Sequence, residues 1–503
     1  MTATDATAAQ PSSSGGPDPD ATYHLLIGGE RVEAGHGTYA IVNPATEQVV
    51  GHAPNATAAD ADAAAEAAAA AFPAWSRTTP EHRAELLVRA ADLLDERYPE
   101  LVPLVQAETG ATMRVTKQMQ VPQAGARFRR YAQGIAEELE IAVRPGLMPT
   151  TALAPGGIIG GVARRAPVGV VAAITSYNFP MTNTAGKVGP ALAMGNTIVI
   201  KPAPQDPLAI VRLGEIFDDA GFPPGVVNVV VGEGSEAAEA LVASKHVDMV
   251  SFTGSTGVGQ RIGQVAGFDM KRLLLELGGK GAGIVFDDAD IKTAIGTISS
   301  VWAFHSGQIC TAPTRVLAQR GIYDQLVSGL GAAAARLKVG DPLERDTVLG
   351  PVITGVHRDR IEGYIASGRE QGGTIVAGGE RPDFERGFYV APTLIADAKP
   401  GMTVVQEEIF GPVVVVVPFD DADEAVALAN SGDFGLYDYV FSADTARAYA
   451  VAQQLRTGNV GINTAQRNHE LPFGGFKLSG VGRDGGRFGF HAYSELQSIV
   501  WPG

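Results

Sequence analysis

V-G-V-V-A-A-I (168–174), T-I-V-I (197–200), V-V-N-V-V-V (226–231) and M-V-S-F-T (249–253) are short, nearly continuous apolar runs set apart by helix-compatible segments. Runs of this length without polar alternation belong to strands buried on both faces, and connections long enough for a crossover helix make them parallel. The fold class expected is therefore α/β. The alternation resumes after Glu276 and lasts to the region of Asn463, which reads as a second α/β unit with Cys310 near its start. Upstream, 58–72 is almost all alanine with Asp60, Asp62 and Glu66, a composition of high helix propensity. A second, amphipathic helix is expected over 81–97, with Pro99 and Pro103 interrupting the chain beyond it. Between 148 and 161 the pattern loosens into proline and glycine, as in an excursion out of the first unit.

At 503 residues the chain is too long for one ordinary core and implies two or three domains. A net charge of −16 argues against a nucleic-acid partner, which needs clustered Lys and Arg. Residues 1–21, rich in Ala, Thr, Ser, Pro and Gly, lack the basic start and apolar run of a signal peptide and read as a disordered tail. The apolar runs are too short to span a bilayer, so no membrane partner is expected. The single cysteine is what a reducing compartment tolerates, and a cytoplasmic location is the expectation.

That cysteine, Cys310, lies in F-H-S-G-Q-I-C-T-A (304–312). Alone it forms no internal disulfide and gives too few ligands for a thiolate zinc site, which leaves simple burial or chemistry. S-F-T-G-S-T-G-V-G (251–259) follows a strand and leads into a helix-compatible segment. Its glycines permit close backbone approach, and the helix N-terminus offers free N–H groups to a phosphate, although such a turn is often only a turn. Glu276 in L-L-L-E-L-G-G-K (273–280) is an acid inserted into an apolar strand. Desolvation there raises its pKa and suits it to general base work, unless it pairs with Lys280. Asn178 in T-S-Y-N-F-P (175–180) ends a buried strand, where its amide either donates to an oxyanion or caps a turn. His305 has no H-E-x-x-H partner and His469 and His491 stand apart, so no metal is expected.

In this order the motifs resemble the aldehyde dehydrogenase superfamily, over about 23–501. The match comprises N-F-P at Asn178, K-P-A at Lys201, F-T-G-S-T-x-x-G, E-L-G-G-K at Glu276, G-Q-x-C at Cys310, E-E-I-F-G-P at Glu407 and P-F-G-G-F-K-x-S-G at Pro472. The resemblance implies a Rossmann-like parallel-sheet cofactor domain over 22–147 and 164–276, and an α/β catalytic domain over 277–480. It adds a small β oligomerisation element, 148–163 and 487–503, in a homodimer or homotetramer. It also implies oxidation of an aldehyde to the acid with NAD or NADP. Cys310 is then the nucleophile and Glu276 the base that activates water. The Asn178 amide and the Cys310 N–H form the oxyanion hole, and Lys187 stands near the proton path. Thr175, Lys201, Ala203, Pro204, Gly254, Ser255, Leu277, Glu408 and Phe410 fall at cofactor positions. Tyr177, Phe179, Phe304, Ile309, Thr311 and Phe473 fall along the substrate tunnel, beside the loop 463–471.

Two positions depart from the pattern. Many NAD-preferring relatives have Glu where this chain has Pro204, so an acid that would repel a 2′-phosphate is missing and NADP use becomes possible. Asp484, in G-R-D-G-G, stands where a glutamate is common. A CoA-acylating enzyme of the same fold is a competing reading, against which Glu276 argues; a catalytically retired nucleotide-binding protein is another. Tyr177, where Trp is frequent, and K-P-x-P resemble relatives acting on aromatic aldehydes, and a hydrophobic or aromatic aldehyde is the expected substrate.

Overall fold

The computed structural model describes residues 17–135 and 139–502. Sixteen residues of the expected tail lie outside the described residues. From Asp18 the chain is tied down, since the Ala21 carbonyl accepts the His52 N–H at 3.0 Å and Tyr23 is buried.

Two parallel sheets carry the molecule. The first has eight strands, and its five central members, Arg272–Glu276, Met249–Thr253, Val170–Ile174, Thr197–Lys201 and Val227–Val229, run parallel in that spatial order. Strands Val170–Ile174 and Thr197–Lys201 are buried at every position, which is why their sequences show no polar alternation. Leu25–Ile27 and Gly480–Val481 add antiparallel strands toward the two edges. The second sheet has seven strands centred on Val413–Phe419, Arg315–Gln319, Ala282–Val285 and Tyr437–Phe441, all parallel, with Thr374–Ala377 antiparallel at one edge. The last parallel strand of the first sheet ends at Glu276 and the next strand, of the second sheet, begins at Ala282, so the short linker 277–281 is the seam between them.

Helices cover both sheets. Ala58–Trp75 starts at Thr57, whose side chain accepts from the Asp60 N–H while Asp60 reaches back to the Thr57 N–H, a reciprocal cap that satisfies two orphan donors. The helix expected over 81–97 runs Pro80–Glu96, but the prolines beyond it do not interrupt the chain, since a new helix, Tyr98–Thr109, contains both. Pro99 sits in the first turn, where its missing N–H is not needed, and Pro103 removes only the bond to the Pro99 carbonyl. Among the described residues no helix is long and apolar enough to cross a membrane.

The excursion is a three-stranded antiparallel sheet of Ser494–Pro502, Gly157–Pro167 and Glu140–Met148. Its bounds correct those expected at 148–163 and 487–503. The extended pairing reaches back to Glu140 and on to Pro167, while Gly486–Ala492 is a helix whose Phe490 is fully buried in the first core.

Phe217 is central to that core, its ring tilted on Phe128 at 5.4 Å and edge-on to Phe222 at 5.2 Å, with no solvent exposure. Phe217→Ala should cost about 3–5 kcal/mol. A clear fall in the first thermal unfolding transition is expected, and an unchanged transition would show that this ring cluster does not hold the core.

Candidate active site

The residues expected at the site come from the carboxyl ends of parallel strands and from the seam. Thr175 follows Ile174, Gly254 follows Thr253, Leu277 follows Glu276, and Lys201 ends its own strand. Carboxyl ends are where parallel α/β sheets open a crevice, and this ordering gathers distant sequence segments.

Glycines at the seam set the spacing. A Cβ on Gly279 would collide with the Cys310 carbonyl, and one on Gly278 would collide with the Glu408 carboxylate. The Gly279 N–H donates to Glu408 Oε1 at 2.8 Å, so E-L-G-G-K holds Glu408 on one side and the cysteine loop on the other. That loop is strained: His305, Ser306 and Gly307 all adopt left-handed φ of 48°, 54° and 74°. The two non-glycine residues cost about 1–2 kcal/mol each. Hydrogen bonds hold the turn, with Ser306 Oγ donating to the Gly350 carbonyl at 2.7 Å and the Ile353 N–H donating to Gln308 Oε1 at 3.1 Å.

Asn178 faces this turn. Its Nδ2 donates to the Gln308 carbonyl at 3.0 Å, and its Oδ1 accepts from Ser176 Oγ at 2.9 Å and Asn183 Nδ2 at 3.3 Å. One amide hydrogen is thus used by the cysteine loop and the second is free for another acceptor. Glu276 is 5% exposed, and neither carboxylate oxygen has a hydrogen-bond partner among the described residues. Burial, reinforced by Asp484, holds its pKa well above the usual carboxylate range, against the pull of Lys187, Arg483 and Arg467. The alternative pairing with Lys280 is not made, since Lys280 Nζ is equally unpartnered and burial pushes it down to about 7. Burial, then the Glu408 charge, pushes the Cys310 thiol up to about 12; Arg467 opposes this and Glu276 adds to it.

One cavity of about 1210 Å³ is lined by Cys310, Glu276 and Asn178 together with Gly254, Ser255, Leu277, Glu408 and Phe410. All six expected tunnel residues, Tyr177, Phe179, Phe304, Ile309, Thr311 and Phe473, also line it. The rings of Phe179 and Phe304 stack at 6.2 Å, and Tyr177 meets Phe410 edge-on at 5.9 Å. Lys187, Thr175, Lys201, Ala203 and Pro204 are absent from this lining. Lys187 is buried behind the wall, its Nζ donating to Ser251 Oγ at 3.1 Å, with Ser251 Oγ 2.7 Å from the Tyr493 hydroxyl. Lys201 Nζ donates to the Gly232 carbonyl at 3.2 Å, and burial lowers it to about 8. Thr175 is buried with its N–H on the Lys201 carbonyl at 3.1 Å. The Pro204 carbonyl accepts from the Tyr39 hydroxyl at 2.9 Å.

A dinucleotide fits the remaining features. Helix Thr256–Phe268 begins at Ser255 with no side-chain cap, leaving N–H groups at its first turn toward the cavity that Glu408 and Phe410 also line. Among the lining residues that no motif announced are His357, whose Nε2 lies 2.8 Å from the Phe410 carbonyl, and Arg360, while Arg467 falls in the loop 463–471 expected at the tunnel.

The model of the aldehyde dehydrogenase family matches residues 32–499. The mitochondrial aldehyde dehydrogenase of Leishmania tarentolae is 38% identical over 480 residues, 94% of each chain. Phenylacetaldehyde dehydrogenase of Pseudomonas fluorescens is 38% identical over 483 residues, 95% of each chain. A crystal structure of betaine aldehyde dehydrogenase from Staphylococcus aureus in complex with NAD+ superposes with a TM-score of 0.90 at 35% identity, covering 95% of this chain and 94% of that one. With the motif residues gathered around one cavity between two parallel sheets, the chain belongs to the aldehyde dehydrogenase family.

Proposed function

We propose that this NAD(P)-dependent aldehyde dehydrogenase oxidises a hydrophobic or aromatic aldehyde to its carboxylic acid through a covalent adduct on Cys310. The observation that carries the reading is the shared cavity of Cys310, Glu276 and the Asn178 amide beside an uncapped helix N-terminus. The Cys310 sulfur, once deprotonated, adds to the formyl carbon. The developing alkoxide takes the spare Asn178 amide hydrogen and the Cys310 N–H, donors held in place before the reaction. Gly254, Ser255, Leu277, Glu408 and Phe410 on the cavity wall, with Thr175, Lys201, Ala203 and Pro204 outside that lining, would hold NAD(P), which would accept the hydride from that carbon. Glu276 then draws a proton from water, which attacks the Cys310 thioester and releases the acid. Lys187 and Asp484, whose charges both act on Glu276, support an onward route for that proton. The apolar wall of Phe179, Phe304, Ile309 and Phe473 supports an apolar substrate body, as does the likeness to phenylacetaldehyde dehydrogenase. The outward apolar side chains Leu147, Ile158, Leu496 and Val500 on the three-stranded sheet support pairing with a second copy, in a dimer or tetramer.

NAD is the preferred cofactor in this reading, despite Pro204. Beside burial, the charges acting on the Tyr39 hydroxyl at the Pro204 carbonyl come from Asp206, Glu233 and Glu108; Asp206 and Glu108 are buried and held toward their neutral forms, and Glu233 is exposed. Glu233 is then the acid of this corner that would repel a 2′-phosphate without the missing glutamate.

Three outcomes are expected. Cys310→Ala removes the nucleophile and should lower kcat by at least about 1000-fold, and substantial remaining oxidation with benzaldehyde would refute the assignment. Glu276→Gln should give a burst of reduced cofactor and then stall; the same series should show wild-type rates rising with pH through neutrality. The sign follows because Cys310 and Glu276 both act deprotonated and both hold their protons to higher pH than usual, so the active fraction grows as pH rises. A wild-type rate that falls over that range, or steady turnover in the variant, would require another base. For the cofactor, kcat/KM with NAD should exceed that with NADP by about tenfold or more; equal values would show that Pro204 has relaxed the choice.

A further inference from the structure

We propose that the aldehyde selected by this cavity carries a carboxylate at the end remote from its formyl group, and that Arg467 binds it. The inference rests on the aldehyde-oxidising reading above and narrows its substrate class.

Arg467 lies in the loop that follows strand Asn459–Ile462 and lines the same cavity as Cys310. Its guanidinium is stacked 4.1 Å over the Phe473 ring and 5.7 Å from that of Tyr437. Stacking fixes the plane of the guanidinium and leaves its N–H edges to a bidentate acceptor. Among the described residues those two rings are its contacts, and no carboxylate pairs with it. The nearest acid on its own loop, Glu470, is already committed to Arg130 through both oxygens.

The surrounding charges favour an anion. Arg114 and Arg127 line the same cavity, and the fields of Arg127 and Arg467 both act against protonation of His469. Of the lining acids, Glu276 and Glu408 are buried, and burial holds both toward their neutral forms, Glu408 to about 7. Asp484 lines the cavity too, and its charge acts on Glu276 and Lys187. Among the described residues Arg467 is thus a cation without a carboxylate partner on the lining of this cavity, in a chain of net −16. Without it, the field of the whole protein would repel an anionic substrate. Arg467 and Cys310 line the same cavity, and the charge of Arg467 acts on the thiol. An apolar or aromatic spacer against Phe473 would place a formyl carbon at the thiol and a carboxylate at the guanidinium.

The test is a set of matched pairs assayed with the full-length enzyme and NAD: 4-carboxybenzaldehyde, 4-oxobutanoate and 5-oxopentanoate, each against its methyl ester. In wild type at least one acid should exceed its ester in kcat/KM by about tenfold. Arg467→Gln should lower the preferred acid roughly 10- to 100-fold, mainly through KM, leave its ester within about threefold, and Arg467→Lys should restore part of the loss. Preference for the ester in every pair overturns the inference while leaving aldehyde oxidation intact. Equal slowing of acid and ester by Arg467→Gln also overturns it and assigns the guanidinium to the Cys310 thiol. No turnover of any aldehyde by wild type would remove the parent reading and this one with it.

Discussion

The backbone at the seam between the two sheets has no room for side chains, and the rest of the site depends on that constraint. A Cβ at Gly278 would meet the Glu408 carboxylate, at Gly279 the Cys310 carbonyl and at Gly281 the Tyr437 carbonyl. Three glycines in the linker 277–281 therefore allow the acid at the end of one sheet and the cysteine loop of the other to approach through main-chain contact. Gly307 does the same opposite the Gly411 carbonyl, which brings the cysteine turn against the segment that carries Phe410. Spacing set by the backbone is rigid, and chemistry that loses rate with displacements of about 1 Å needs such rigidity.

That closeness has an electrostatic consequence. Glu276, Lys280 and Lys187 are each no more than 5% exposed, and Glu276 and Lys280 lack any hydrogen bond from their charged ends to a described residue. Burying an unpaired ionised group costs several kcal/mol, so such groups shift toward neutrality instead. Glu276 and Lys280 do not relieve one another, because neither is among the charges that act on the other. The result is a carboxyl group and a thiol that burial holds toward their neutral forms.

Much of this is legible in the sequence, for a physical reason. Strands such as Val170–Ile174 are buried on both faces, so the apolar run is the strand. Glu276, Asn178 and Cys310 sit in motifs whose residue types the chemistry and the close packing require, and the cavity contains all three. What the sequence conceals depends on contacts between distant segments. Pro99 and Pro103 read as interruptions beyond 97, because the pattern does not show a second helix that starts at Tyr98 and accommodates both. The excursion reads as starting at its glycines, whereas strand pairing with Gly157–Pro167 extends back to Glu140. His357 and Arg360 are ordinary residues of a polar helix, and only the fold places them on the cavity wall, whereas Arg467 lies in the loop 463–471 already expected at the tunnel.

The shorter acid at Asp484 takes its meaning from this packing. Its backbone forms an antiparallel bridge with Phe473, the two N–H groups and two carbonyls exchanging bonds of 2.7 Å. Asp484 is thereby fixed to the same turn that supplies the ring beneath Arg467. From there its charge raises Glu276, while Lys187, on the buried hydrogen-bond chain to Ser251 and Tyr493, lowers it. Opposed charges of this kind let a buried carboxyl group change protonation state without exposing it to water, because each form is favoured by a neighbour already in place. The acid lost in length is compensated by a backbone that cannot retreat, and the base is tuned by Asp484 on the cavity lining and by Lys187 buried behind it.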